Sequence, residues 1–454
     1  MARIKREQWT SKLGFIWAAV GSAIGLGSIW RFPYVVGENG GALFIFLYLI
    51  CLVLIGFPIL VSEILIGKKT QLNASSSFLK IGKNRAWQGV GTLTIITGFL
   101  VSSFYAVVAG WTLGYFFKAL SGSLTHLKTS KEVANHFYAF SASPYSEIGY
   151  LLGFIILSLG ILYFGVQKGI EAANKVIMPL LLFILIALAT KGLFMSGGKE
   201  AFNFLFKLDF KALTPQVVLL ALGQAFFSLS LGQGTMVTYG SYLSKKENVF
   251  KICLPVTFFG IVIALLAGLA IFSIVFSYEM PPSAGASLMF QTLPLIFSEL
   301  PGGIFFAAIF FFLLLMAALT SQISAMEPLI CFLIDVKKWC RHKATVAVGA
   351  AVFLCATPLA LSFGPWKGFE VFGKTLFDGV LFLCLNMLIP LGGLGAALLI
   401  GWRLRFKEAT ELFKEGVESI IIKRPLILSC FLLSIKFIAP TIIVLILLDA
   451  FGII

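Results

Sequence analysis

The sequence predicts an all-α polytopic membrane protein of about eleven transmembrane helices, with the first and sixth helices unwound near their middles. Three observations predict it. Of 454 residues, 59% are hydrophobic and only 12% are charged, too few charges to cover a soluble globular surface. Apolar runs of roughly 20 residues or more, enough to cross a bilayer, recur along the whole chain. Two of these runs carry glycine and serine at membrane depth, in GSAIGLGSIWRFP (21–33) and SLSLGQG (228–234).

Taken in order, the expected spans lie near 13–35, 41–67, 87–119, 147–165, 170–195 and 216–242. The remaining five lie near 250–276, 302–335, 344–362, 371–402 and 425–450. The first run follows a short basic tail, continues past Pro33 and lacks a small-residue cleavage site, so it reads as a retained span rather than a signal peptide. Residues 281–300 are expected to form a short re-entrant or surface helical pair broken by Pro294. The connections 120–146 and 196–215 carry aromatic and mixed polar residues. Because the two interrupted runs are five spans apart, an odd number, two five-helix repeats of inverted orientation are expected, with a binding site at their interface.

A net charge of +15 suggests nucleic acid, but the charges are placed otherwise. They cluster between apolar runs at Arg3, Lys5, Arg6 and Lys12, and again at Lys68, Lys69, Lys80, Lys83 and Arg85. Further clusters are Lys245, Lys246 and Lys251, then Lys337, Lys338, Arg341 and Lys343, then Arg403, Arg405 and Lys407. The alternate loops are poorer in Lys and Arg, and the one from Glu279 to Glu299 has none. This positive-inside pattern puts the N-terminus in the cytoplasm and, with eleven spans, the C-terminus outside the cell (plasma or inner) membrane. The lipid bilayer is the expected partner, and nucleic acid is not. The seven cysteines show no CxxC spacing and read as reduced thiols. The three histidines lie outside the spans.

Gly21, Gly25 and Gly27 each weaken a helix by roughly 1 kcal/mol relative to alanine. At membrane depth such a break persists only where freed backbone groups find a partner. One reading is a binding site made of bare carbonyls and amides; the other is close helix packing through small residues. Thr320 and Ser321 place two hydroxyls in an apolar helix. They either bond back to their own helix or complete an oxygen shell for Na⁺ with carbonyls of the first span. Arg31, Glu63 and Glu327 are ionisable residues within spans, and such residues mark a pathway or a buried pair. Glu63 reads as a structural acceptor for amides freed by the helix breaks. Tyr105 and Phe227 serve either the site or plain packing.

The segments GSAIGLGSIWRFPY (21–34), ENGG (38–41), GQAFFSLSLGQG (223–234), TYGSY (238–242) and LTSQISAMEP (319–328) closely resemble the neurotransmitter:sodium symporter family, in its prokaryotic branch. The resemblance runs from Arg6 to the PLGG at 390–393 and implies the LeuT-type fold. It implies a second sodium site, so called in the family, at Gly21, Ile24, Ala317, Thr320 and Ser321. It implies an amino-acid site at Ser22, Ala23, Leu26, Gly27, Val101, Tyr105, Phe227, Ser228, Ser230, Gln233, Ser321 and Ala325. Tyr105 would bond the substrate carboxylate, and Phe227 would lid the pocket. Arg31 with Gln224 resembles an outer gate; Arg6 with Asp335, supported by Trp9 and Tyr242, resembles an inner gate. Gly169 and Pro179 resemble a motif that lets the fifth span unwind toward the cytoplasm. The implied organisation is a cytoplasmic N-terminal gate segment (1–12), a first repeat (13–195), a second repeat (216–402) and an eleventh span (425–450).

The chain departs from this pattern at the family's first sodium site. Only Ala23, Ser28 and Ser228 remain to form it: Ser28 replaces a side-chain amide, and the seventh-span position of an Asn or Asp is Gly260. Ala264 stands where a chloride arrangement, or the carboxylate replacing it, would lie. One coupled Na⁺, at the second site, and no chloride are therefore expected. The outer-gate aspartate position in span ten falls on Leu381, with Asp378 one turn earlier as its substitute. The pocket residues Val101, Phe227, Ala325 and Gln233 are mainly apolar, which favours a neutral apolar or aromatic amino acid.

The reading is a sodium-coupled amino-acid symporter working by alternating access. A channel is disfavoured by gates at both ends. An enzyme is disfavoured by the lack of HExxH, of paired inward carboxylates and of a nucleophile–His set. The alternatives are a transporter-like amino-acid sensor and a sodium-independent uniporter or proton-coupled transporter.

Overall fold

The first apolar run folds as two helices, Lys12–Ala23 and Gly27–Glu38, bent by 49° at the intervening glycine-rich step. The computed structural model describes residues 6–124, 126–282, 288–299, 302–404 and 425–451. Nine further helices are long and apolar enough to span: Ala42–Thr70, Arg85–Leu120, Pro144–Tyr163, Val166–Leu193, Val249–Ser277, Gly303–Lys337, Arg341–Leu361, Leu376–Arg403 and Ser429–Ala450. The sixth expected span is two shorter helices, Pro215–Ser228 and Thr235–Ser241. Among the described residues the chain is thus an eleven-segment helical bundle broken at its first and sixth members.

Local chemistry starts these helices where the sequence suggests. Ser11 accepts from the Gly14 amide and Thr214, followed by Pro215, accepts from the Val217 amide, caps that satisfy amides lacking an intrahelical partner. Spans three and eight are the scaffold of the centre. In span three 78% of the apolar stretch is buried, against 33% in spans four and five, whose remaining faces are left for lipid. Span one packs against spans five, seven and eight, and span six against spans two and eight, which keeps the broken backbone away from lipid.

Two expectations are corrected. Residues Leu288–Thr292 and Leu293–Glu299 form one continuous helical run with Pro294 inside it. The tenth span starts at Leu376 rather than 371, because Glu370–Val371 pairs antiparallel with Lys374–Thr375 in a short hairpin. The connection after span three contains a helix, Ser130–Ala142, and that after span five another, Gly198–Phe206. Arg3, Lys5, Arg405, Lys407 and residues 283–287 of the re-entrant segment lie outside the described residues.

Candidate ion and substrate site

At the break in span one, Ile24 adopts φ −105° and ψ 79°, outside the helical region. Carbonyls on the helical side of the break then face span eight. The Ser321 hydroxyl donates toward the Gly21 carbonyl (3.2 Å) and the Ser22 carbonyl (3.1 Å). Thr320 Oγ1 lies 3.0 Å from the Ala317 carbonyl. Thr320 also meets span one: a Cβ on Gly21 would lie 3.1 Å from the Thr320 Cβ. Gly21, Ala317, Thr320 and Ser321 therefore gather neutral oxygens beside the break at Ile24, and a hard monovalent cation takes such donors.

Gly25 is where span one meets spans three and eight. A Cβ there would sit 2.1 Å from Ser321 Oγ and 2.4 Å from the Tyr105 hydroxyl, so only glycine fits. The Tyr105 hydroxyl accepts from the Leu26 amide at 2.9 Å. Beside it opens a chamber. Its hydroxyls are Ser22, Ser230 and Ser321; its apolar wall is Ala23, Val101, Phe227 and Ala325; Gly27 and Gln233 complete it. Ser22 and Ser230 hydroxyls lie 3.1 Å apart, and Ser230 also donates to the Ser22 carbonyl at 2.8 Å. Leu26 faces a neighbouring cavity beyond Phe227, with Trp30, Arg31 and Leu381. Ser228 points elsewhere: its hydroxyl is 3.0 Å from that of Tyr48.

The break in span six is held by glycines and one carboxylate. Ser230, Gly232 and Gly234 all take positive φ (53°, 71° and 75°). Gly232 lies so close to span ten that an added Cβ would be 2.0 Å from the Ile389 carbonyl oxygen. The freed Gly232 amide donates to Glu63 Oε1 at 2.8 Å, and Glu63 is only 1% exposed. The Glu63 carboxylate thus replaces the partner that unwinding removed.

Both ends of the chamber are closed. On one side Arg31 bonds Gln224, Gln224 donates to the Gly27 carbonyl at 2.9 Å, and the Arg31 guanidinium stands 5.8 Å above the Phe227 ring. Asp378 lies apart from this closure. It is bonded to Thr375 at an exposed helix start, while Leu381 faces the cavity above Phe227. In the first turn of the helix the aspartate reaches solvent and Thr375, so the cavity wall there is the apolar Leu381. On the other side Arg6 grips Asp335 with both contacts at 2.7 Å and stacks 4.8 Å over Tyr242. Trp9 donates to the Tyr239 carbonyl at 3.1 Å and packs edge-on against Tyr242.

The hydroxyls left for a first sodium site are bonded to other groups of the protein. Ser28 donates to the Ala23 carbonyl at 3.1 Å, and Ser228 is turned to Tyr48. Around Gly260 there is open space, with no atom within 4 Å of an added Cβ. Gly169 sits in a π-turn, Val166–Glu171, and Pro179 inside the helix Ala172–Leu193; the fifth span is wound through both.

Several groups escaped the sequence reading. Glu171 accepts from the Thr10 amide (2.8 Å) and the Ser11 hydroxyl (3.0 Å), tying the N-terminal segment to span five. Glu327, which the sequence did mark as a pathway residue or half of a buried pair, is the centre of a second cluster, bound by Arg341 and by the Tyr242 hydroxyl, both at 2.7 Å. Glu147 accepts from the Trp111 indole at 2.6 Å. Asn174 leaves its Oδ1 buried and without a partner among the described residues, 2.0 Å from where a Cβ on Gly21 would be. The available signal was an ionisable or amide residue near the end of an apolar run.

Two broken helices, a cluster of neutral oxygens at one break and closures at both ends define a secondary transporter of the membrane. A model described as the sodium:neurotransmitter symporter family matches residues 6–142 and 146–452, and the chain belongs to that family. It is 38% identical over 453 residues to the uncharacterized sodium-dependent transporter YhdH of Bacillus subtilis, covering 100% of this chain and 99% of the relative. An uncharacterized sodium-dependent transporter of Haemophilus influenzae is 36% identical, covering 97% of each chain. The crystal structure of MhsT in complex with L-phenylalanine superposes with a TM-score of 0.89 at 40% identity, over 98% of this chain and 100% of that one. The chain is a multi-pass, sodium-dependent symporter with a LeuT-type fold.

Proposed function

We propose that this protein imports neutral apolar or aromatic amino acids, each with one Na⁺, by alternating access across the cell membrane. One observation carries the reading. The Gly21 and Ser22 carbonyls meet the Ser321 hydroxyl in the wall of the chamber that Tyr105 borders, so ion and substrate share the break in span one. The bound phenylalanine of MhsT supports the substrate class. Gly21, Ile24, Ala317, Thr320 and Ser321 hold the ion; Tyr105 and the amides near Gly25 take the carboxylate. Spans within 13–195 and 216–402 act as the two inverted units, with the N-terminus cytoplasmic and the C-terminus outside. Chloride has no part in the cycle.

The test is amino-acid binding to the purified protein across a Na⁺ titration, with K⁺ or choline as replacement, alongside radioactive sodium counting. One sodium per amino acid, and loss of the Na⁺ dependence in a combined Thr320→Ala, Ser321→Ala variant, is expected. Two sodiums per amino acid would sink the one-ion reading. Binding indifferent to Na⁺ would sink the symport mechanism.

A further inference from the structure

Within the chamber one polar group has nothing to bond. Gln233 is 5% exposed, and its Oε1 is buried without a hydrogen-bond partner among the described residues. A buried amide left unpaired is destabilising, so native structures normally satisfy it with protein, water or ligand. The wall it shares is apolar at Ala23, Val101 and Ala325, and the hydroxyls of Ser22, Ser230 and Ser321 have partners elsewhere in it.

The backbone of Gln233 lies against span three, and its side chain lines the chamber. A Cβ on Gly98 would lie 2.8 Å from the Gln233 carbonyl oxygen and 3.4 Å from that of Ala325. Gly98 therefore marks the Gln233 end of the chamber. Tyr105, which marks the other end through Leu26 and Gly25, lies two helical turns further on, about 10 Å along the axis. Val101 lies between them. From Tyr105 to Gln233 the chamber thus runs from a polar end, across an apolar stretch, to a lone acceptor.

We propose that Gln233 selects amino acids whose side chain has an apolar aromatic body and a hydrogen-bond donor at its edge, an indole N–H or a phenol O–H. The inference rests on the amino-acid reading above and narrows it. An aromatic ring fills the Val101–Ala325 stretch, where the alanine leaves room, and its donor meets Gln233 Oε1. A substrate lacking the donor leaves the amide unpaired while covering it from water. A site built around such a group discriminates far more sharply than an apolar pocket does.

The test compares isosteres on the full-length protein at saturating Na⁺. L-tryptophan is set against L-3-benzothienylalanine, in which sulfur replaces the indole N–H, and L-tyrosine against L-phenylalanine. Each is measured by competition binding, in the wild type and in Gln233→Met. The wild type is expected to favour the donor-bearing member of each pair by about tenfold, the cost of one unpaired buried amide. In Gln233→Met that ratio is expected to shrink to within about twofold. A wild-type ratio near one overturns the proposal whether or not the variant folds, since an ordered water would then be meeting the amide. A ratio that persists in Gln233→Met overturns it too. Absence of Na⁺-stimulated binding for all four compounds is a different failure: it removes the amino-acid reading, and this proposal with it.

Discussion

At the scale of single residues the site depends on where side chains are missing. Gly25 admits both the Ser321 and Tyr105 hydroxyls to the backbone of span one. In Gly25→Ala the new methyl displaces both, and overpacking of this kind costs about 1–3 kcal/mol. Na⁺-dependent amino-acid binding is expected to weaken at least about tenfold, read by the same titration, while a thermal melt checks that the variant folds. Gly260 is the opposite case, because the space beside it is empty. Gly260→Asp puts a side-chain oxygen where the family's first sodium site has an Asn or Asp, and a hard cation gains most from a charged oxygen. The variant is expected to bind a second sodium, counted with radioactive sodium, and to show a steeper Na⁺ dependence than the wild type. An unchanged count would mean that Ser28 and Ser228, bonded to Ala23 and Tyr48, stay unavailable.

At the scale of elements, each helix break and each closure has an identifiable partner. Span six stays unwound because Glu63 takes the Gly232 amide. Glu63→Ala strands that amide in the interior and is expected to destabilise the fold by about 1–3 kcal/mol, seen as a lower melting temperature. Glu63→Gln keeps an acceptor and is expected to lose less. The N-terminal segment is held differently, by Arg6 on Asp335 and by Glu171 on Thr10 and Ser11. Arg6 also bonds the Cys331 sulfur at 2.9 Å, which makes this buried thiol a native reporter of the closure. In Arg6→Ala, alkylation of Cys331 by a membrane-impermeant reagent, followed by mass spectrometry, is expected to speed up several-fold. A rate equal to that of the wild type would show that Glu171 and Trp9 alone keep the segment shut.

At the scale of the whole molecule, closures on both sides leave the chamber sealed, as alternating access requires between its two open states. Much of this was legible beforehand. Hydropathy and glycine placement are properties of short stretches, so the eleven spans, the breaks near Gly25 and Gly232 and the acceptor role of Glu63 followed from composition and from the cost of unpaired backbone in lipid. Asp378 was assigned to a gate from the family resemblance, as a substitute one turn before the matching position at Leu381. Spacing says which residues share a face but not whether that face turns to the cavity, and here Leu381 does while Asp378 caps its helix start with Thr375. Glu171 and Asn174 passed unnoticed because an isolated polar residue near a span end looks the same whether it meets solvent or a distant segment. By itself the sequence determined that the chain spans the membrane and where its helices break, because each follows from local hydrophobicity and backbone need. Only the tertiary structure decided which polar groups meet, which take other partners, like Ser28 and Ser228, and which, like Gln233 Oε1, have none among the described residues. Those outcomes depend on contacts between residues hundreds of positions apart, and no local pattern encodes them.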